Sequence, residues 1–170
     1  MTVKEIKIAN STYRRRGSSV FDKDGNIRSV VARYVANHVD KNKKLLDYGC
    51  GSEFIQGNYL RQLGFNVDGW DIGVNKPKDC VSELRQIYDV VYASNVLNVI
   101  SSESMLIETL DQAYNCLKIG GWFIANYPSA PRKMDININL LRGIIQGKFG
   151  GIIQMVGGTK SAPIWCVVKL

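Results

Sequence analysis

Strand-like runs and helical patterns alternate along most of this chain. Apolar runs typical of buried strands cover residues 44–51, 65–71, 88–95 and 122–126. The stretches predicted to be helical lie before and between them, at residues 27–39, 58–63 and 101–117. This alternation predicts an α/β fold, in which a mostly parallel sheet carries helices on its faces.

The last third of the chain departs from that alternation. A helix is predicted over residues 137–146, followed by two short strands at 152–156 and 164–170. The segment 157–163 contains two glycines and a proline, which is typical of a hairpin connection. We therefore expect a C-terminal antiparallel hairpin.

Positive charge is concentrated near the start of the sequence. The 170 residues have room for one domain and carry a formal net charge of +7. Residues 1–44 hold eleven lysines and arginines against four acids, so the whole excess lies there. We expect a basic arm over residues 1–24 and a single domain over 25–170. The arm indicates either contact with a polyanion such as nucleic acid or a solvated surface.

Several classes of protein are disfavoured by what the sequence lacks. It has no apolar run long enough to span a bilayer and no apolar leader at its start, so a cytoplasmic protein without a membrane partner is expected. The four cysteines match no zinc spacing, and His38 is the only histidine. No metal site is predicted, and a hydrolase is disfavoured.

The sharpest motif is Asp47-x-Gly49-x-Gly51, at the end of the first predicted strand. Glycines here allow a tight turn and close approach of a ligand to the backbone. Asp71 ends the second strand 22 residues after Gly49, where open α/β sheets place a carboxylate that binds ribose hydroxyls. Together these features favour a nucleoside-containing cofactor, although a glycine turn alone can serve packing.

Four segments resemble, in order, motifs of the class I S-adenosylmethionine-dependent methyltransferases. Residues 45–52 resemble the family's first motif, 67–72 its second strand, 88–97 its fourth strand and 117–123 the approach to its fifth. The resemblance covers roughly residues 27–170. It implies a Rossmann-like sheet with helices on both faces, S-adenosylmethionine as cofactor, and in-line transfer of a methyl group to a small molecule or a nucleic acid.

The resemblance also implies a set of cofactor contacts at the strand ends: Asp47, Tyr48, Gly49, Cys50, Gly51, Asp71, Ile72, Asp79, Cys80, Ser94, Asn95 and Val96. In this set Asp47 would lie near the cofactor ammonium, Asp71 would hold the ribose and Ile72 would contact the adenine. Residues 94–96 would face the sulfonium and the substrate. Asp79 and Cys80 fall in a shortened region, 72–87, where a vestigial strand near 79–81 is predicted.

Other positions depart from the family pattern. Glu53 replaces the third glycine of the first motif, and Asn98-Val99 stands where many relatives have an acid–base histidine. No catalytic residue is identified. The candidate acceptor-binding residues are Tyr13, Arg14, Arg16, Asn98 and Tyr127, and Tyr127 could equally be a packed aromatic. The alternative function is a catalytically inactive cofactor-binding or nucleic-acid-binding protein with this fold.

Overall fold

The computed structural model of the protein describes residues 1–11, 20–73 and 85–170. Its helices are α1 (Val3–Ser11), α2 (Val30–His38), α3 (Ile55–Gln62), α4 (Glu103–Cys116) and α5 (Ile138–Phe149), with a 3-10 turn at Leu97–Val99. Its strands are β1 (Lys44–Tyr48), β2 (Asn66–Trp70), β3 (Tyr88–Ala93), β4 (Leu117–Asn126), β5 (Gln154–Thr159) and β6 (Ala162–Val168). The vestigial strand predicted near 79–81 lies outside the described residues.

The strands form one sheet in the order β2-β1-β3-β4-β6-β5. The pairs β1–β2, β1–β3 and β3–β4 are parallel, whereas β6 pairs antiparallel with both β4 and β5. The predicted mostly parallel sheet with a C-terminal antiparallel hairpin is therefore confirmed. Parallel strands end at the same edge of a sheet, so the segments that follow β1, β2 and β3 meet there.

Helices cover both faces of the sheet. Val31 and Val35 of α2 pack in one buried cluster with Leu45 of β1, and Leu60 of α3 belongs to the same cluster. Helices α4 and α5 supply the cluster on the other face, which includes Leu46. Successive side chains of a strand point to opposite faces, so Asp47 lies on the same face as Leu45, toward α2 and α3.

Helix α1 was not expected from the sequence, which shows no sustained periodicity in this segment. The local feature that starts this helix is a capping box formed by Thr2 and Glu5. The Thr2 hydroxyl accepts from the amide of Glu5 at 3.2 Å, and the Glu5 carboxylate accepts from the amide of Thr2 at 2.7 Å. These two bonds satisfy amides that the first turn of a helix leaves without partners.

Helix α2 and strand β4 begin at other residues than the sequence predicted, and the reasons are local. Helix α2 begins at Val30 because the Ser29 hydroxyl accepts from the amide of Ala32 at 3.2 Å and caps the helix, while Ile27 pairs with Phe21 in a short bridge. Strand β4 begins at Leu117, directly after α4. Gly120 and Gly121 therefore lie inside the strand, beside a register irregularity, instead of ending the helix.

Candidate functional site

The turn after β1 requires its two glycines. Gly49 and Gly51 have φ angles of +79° and +69°. The amide of Gly49 donates to the carbonyl of Trp70 at 2.7 Å, which ties the turn to the end of β2. A Cβ atom at Gly49 would lie 2.5 Å from Cγ2 of Val96. The close approach of the segment after β3 thus leaves no room for a side chain at this position.

Asp71 lies beside that turn, as the spacing predicted. One carboxylate oxygen accepts from the amide of Gly51 at 2.9 Å and the other accepts from the amide of Gly73 at 2.8 Å. The residue is 8% exposed, and it lines a cavity at this edge of the sheet. Each oxygen keeps a further lone pair, so the oriented carboxylate can accept from two neighbouring hydroxyls.

The segment after β3 forms the third wall of the site. Asn95 adopts a φ of +57°, and its amide donates to Oδ1 of Asn126 at 2.7 Å. The Asn126 side chain donates back to Oδ1 of Asn95 at 2.9 Å. Asn126, the last residue of β4, was missed by sequence reasoning. A polar residue at the end of the next parallel strand was the signal that could have found it.

Ser94 is linked to two further residues that sequence reasoning missed. Its hydroxyl lies 3.0 Å from the Ser29 hydroxyl, which itself donates to the Gln56 side chain at 2.9 Å. Because Ser29 has one proton to donate, Ser94 is the donor in the first bond. The chain of hydroxyls joins the ends of α2 and α3 to β3. No pattern in the sequence connects positions so far apart.

These segments surround a cavity of about 80 Å³ at the ends of β1, β2 and β3. It is lined by predicted residues (Tyr48, Gly49, Asp71, Ile72, Ser94, Asn95, Val96) and by Trp70, Val99, Met105, Thr109, Met1 and Ala9. Met1 and Ala9 place α1 over the cavity. A larger cavity of about 350 Å³ lies at the opposite end of the strands, beside Lys43, Asp89 and Trp122, and includes none of the predicted residues.

Asp47 lies beneath the turn, 1% exposed, and does not line that cavity. Its Oδ2 atom has no hydrogen-bond partner among the described residues. Burial raises the pKa of Asp47 to about 7, and the charge of Asp71 adds to this, whereas the Tyr92 hydroxyl and the Gly57 amide lower it. A buried carboxylate oxygen without a donor fits the ammonium group of an amino-acid ligand.

The neighbouring thiol is chemically inert in this setting. Burial raises the pKa of Cys50 to about 12, and the charges of Asp47 and Asp71 act in the same direction. Cys50 is therefore a neutral thiol at physiological pH, and its sulfur donates to the carbonyl of Gly51 at 3.4 Å. Glu53, the departure from the glycine pattern, is exposed.

Asn98 and Tyr127, the candidate acceptor residues within the described part of the chain, do not line the cavity. Asn98 is 3% exposed, and its side chain donates to the carbonyl of Pro131 at 2.9 Å, which holds the segment after β4. Tyr127 is buried against Trp165, with the Arg132 guanidinium 4.1 Å from its ring centre. Tyr127 is thus a packed aromatic in this structure. Tyr13, Arg14, Arg16, Asp79 and Cys80 lie outside the described residues.

Two further expectations concern metals and membranes. Across residues 1–11, 20–73 and 85–170, no three His, Cys, Asp or Glu side chains are grouped so that they could hold a metal ion. In the same part of the chain, none of the helices is both long enough and apolar enough to cross a membrane.

Comparison with known proteins finds one matching family and many solved structures of similar fold. The model of a family described as "Methyltransferase domain" matches residues 21–154. Among curated proteins, none matches the sequence at a significant level.

Many solved structures share the fold at low identity. A TehB-like SAM-dependent methyltransferase from Corynebacterium glutamicum is 14% identical, with a TM-score of 0.62 over 86% of this chain and 91% of that one. The Burkholderia thailandensis 1,6-didemethyltoxoflavin-N1-methyltransferase, solved with 1,6-didemethyltoxoflavin and S-adenosylhomocysteine, is 15% identical, with a TM-score of 0.59 over 82% and 76%. The T. thermophilus 16S rRNA methyltransferase, in complex with AdoMet and guanosine, is 12% identical, with a TM-score of 0.57 over 84% and 39%.

Proposed function

Since the chain belongs to the methyltransferase domain family, we propose that it transfers the methyl group of S-adenosylmethionine to a small-molecule acceptor. S-Adenosylmethionine is the cofactor of this family, and when bound it supplies an electrophilic methyl group on a sulfonium. The observation that carries the choice of acceptor is the contact of α1 with the site. Met1 and Ala9 line the cavity beside the strand ends, so α1 narrows the access that a macromolecular acceptor would need, and a small molecule is favoured.

We assign each part of the cofactor to a different residue at the strand ends. We assign the ribose hydroxyls to Asp71, whose carboxylate is already oriented by the amides of Gly51 and Gly73. The glycine turn gives the cofactor close access to the backbone. Ile72, partly buried on the cavity wall, offers an apolar surface to the adenine. Asp47 is assigned to the ammonium.

Asn95 is assigned to the reacting end of the cofactor. It is exposed, and its paired bonds with Asn126 hold its backbone at a positive φ. An amide fixed in this way can orient an acceptor by hydrogen bonding without exchanging a proton with it. Orientation of donor and acceptor is the main requirement of an in-line displacement.

The cavity offers no evident general base. Among the described residues that line it, the titratable side chains are Tyr48 and Asp71. The Tyr48 hydroxyl donates to Gln112 at 2.5 Å, and burial raises the pKa of Tyr48, while Asp71 is engaged with two amides. We therefore infer that the acceptor atom is nucleophilic without help from the protein, as a neutral nitrogen or a readily formed anion is.

The proposal is tested first by binding. Calorimetric titration with S-adenosylmethionine and S-adenosylhomocysteine should show micromolar affinity, and NAD, the control, should not bind. Asp71→Asn should weaken both ligands at least about tenfold while the protein remains folded, because it replaces an acceptor of two hydroxyls. Failure of the wild-type protein to bind either ligand would contradict the assignment of the site.

The acceptor class is tested next with cofactor carrying a tritiated methyl group. The protein is incubated with separated small-molecule, RNA and DNA fractions of a cell extract, with Asp71→Asn as the control of weakened cofactor binding. Label in the small-molecule fraction alone is expected. Label in RNA or DNA would replace this proposal with a nucleic-acid methyltransferase, the activity that the basic arm would suit.

A further inference from the structure

Tyr92 has no assigned part in binding so far. We propose that Tyr92 is a positioning residue, whose buried hydroxyl gives the neighbouring Asp47 carboxylate a polar setting that can receive the ammonium group of the cofactor. This inference rests on the proposed function, because it requires that an amino-acid-bearing cofactor binds at the turn after β1. It goes beyond that function by naming a side chain on β3 as part of the ammonium site.

The register of the sheet brings the two side chains together. Asp47 of β1 and Tyr92 of β3 are Cα partners in the parallel pair β1–β3. Parallel partners project from the same face, so both side chains lie toward α2 and α3. Both also come just before the strand ends, two residues ahead of Gly49 and of Ser94. The pair therefore lies directly beneath the part of the site that faces the cofactor.

The buried polar atoms of Asp47 and Tyr92 lower the stability of the fold. Asp47 is 1% exposed and Tyr92 is fully buried. Oδ2 of Asp47 and the Tyr92 hydroxyl are both buried without a hydrogen-bond partner within the part of the chain that the structure describes. A buried polar atom without a partner destabilises a fold, and phenylalanine would fill the space of Tyr92 without that cost. The two atoms are thus an incomplete polar site, which a charged donor would complete.

The charges around Asp47 favour a cation as that donor. The titratable groups that act on this pair are Asp71 after β2, Cys50 in the turn and Arg61 on α3. Of these, only Arg61 is positive, and its guanidinium is 4.7 Å from the Phe54 ring centre while Nε donates to the carbonyl of Val67. No described cation forms an ion pair with Asp47, so an ammonium from the ligand would supply the missing charge.

Tyr92 affects how readily Asp47 carries its charge. The hydroxyl lowers the pKa of Asp47, against the stronger effect of burial, which raises it. Loss of the hydroxyl should therefore raise the pKa of Asp47 and leave more of it protonated near neutral pH. A protonated carboxyl attracts an ammonium less, so the affinity for an ammonium-bearing ligand should fall.

A comparison of affinities for two ligands distinguishes this role of Tyr92 from a general effect on the fold. S-Adenosylhomocysteine carries the ammonium, whereas 5′-methylthioadenosine keeps the nucleoside and lacks the amino-acid part. Affinities for both are measured by calorimetry from pH 6 to 9 for the wild type, Tyr92→Phe and Tyr88→Phe. Tyr88 is the matched control, because it is a fully buried tyrosine of the same strand whose hydroxyl donates to Asp68 at 3.0 Å.

For Tyr92→Phe we expect about a tenfold loss of affinity for S-adenosylhomocysteine at pH 7, because a smaller fraction of Asp47 is then ionised. Affinity for 5′-methylthioadenosine should change less than about twofold, and the midpoint of the pH dependence should move to higher pH. Tyr88→Phe should leave both affinities as in the wild type. Asp47→Asn, which keeps the buried shape, should abolish the pH dependence and the preference for the ammonium-bearing ligand.

Results that would contradict the role of Tyr92 differ from results that would contradict the proposed function. Equal losses for the two ligands, or an unchanged pH midpoint in Tyr92→Phe, would overturn the role of Tyr92 and leave the methyltransferase intact. If Tyr92→Phe fails to fold, Asp47→Asn decides, since an unchanged ligand preference in that variant removes the ammonium site itself. A wild-type protein that binds neither ligand would overturn the proposed function together with this inference.

Discussion

The carboxylate of Glu5 accepts a hydrogen bond from the hydroxyl of Ser102, which links the capped ends of α1 and α4. Glu5 closes the capping box of α1, and the Ser102 hydroxyl also accepts from the amide of Met105 at 3.1 Å to cap α4. This bond, together with those from the amide and hydroxyl of Thr2, lowers the pKa of Glu5 to about 2. It therefore persists from neutral pH down to moderately acidic conditions, and it fastens α1 beside the cavity.

Ser102→Ala should loosen α1 and weaken α4 together. Loss of the cap should lower the free energy of unfolding by about 1 kcal/mol. Amide hydrogen exchange in residues 3–9 should accelerate, because Glu5 loses its partner across the two helices. Urea denaturation and exchange mass spectrometry measure the two effects. Ser101→Ala, which changes no cap, is the control, and unchanged exchange in Ser102→Ala would argue against this attachment of α1.

Gly49→Ala should damage both the fold and cofactor binding. The substitution places a Cβ 2.5 Å from the Val96 side chain at a backbone φ of +79°. The free energy of unfolding should fall by about 1 to 3 kcal/mol. The control is Gly147→Ala in α5, where a Cβ meets no atom within 4 Å. That variant should gain up to about 1 kcal/mol in a helix interior.

Lys169→Met should destabilise the protein although it removes a buried charge. Lys169 is 2% exposed, and its ammonium donates to the carbonyls of Tyr114 and Leu117 at 2.8 Å each. These carbonyls lie at the C-terminal end of α4, which favours a cation. The expected loss is about 2 to 4 kcal/mol in chemical denaturation. Substitution of the exposed Lys160 should change stability by less than about 0.5 kcal/mol.

Asp47→Asn should change how stability depends on pH. The folded pKa of Asp47 is about 7, against 3.8 for an ordinary aspartate, so between these values the folded state binds the proton more tightly than the unfolded state. Without cofactor, the free energy of unfolding of the wild type should therefore fall by roughly a few kcal/mol as the pH rises from 4 to 7.

Asp47→Asn should lack this decline and should be the more stable protein at pH 8. Urea denaturation at pH 5 and pH 8, with S-adenosylhomocysteine left out, measures the difference. A parallel decline in the variant and the wild type would show that Asp47 titrates in its ordinary range.

Much of the fold followed from local patterns in the sequence. The strand runs, the turn at Gly49 and Gly51 and the acid at Asp71 each depend on residues close together in the chain, so periodicity and residue type predicted their places. The rule that parallel strands end at one edge then predicted that these strand ends lie together. The same patterns indicated the antiparallel hairpin and the family.

The remainder depended on contacts between distant residues. The pairing of Asn95 with Asn126, the hydroxyl chain through Ser29 and the position of Tyr92 beside Asp47 follow from strand register and helix placement, which no local period encodes. The position of α1 over the cavity likewise rests on Glu5 and Ser102, 97 residues apart. The sequence by itself thus determined the elements of the sheet and the edge at which their glycine turn and Asp71 lie. Only tertiary packing decided which side chains meet there, because burial and charge act through space and not along the chain.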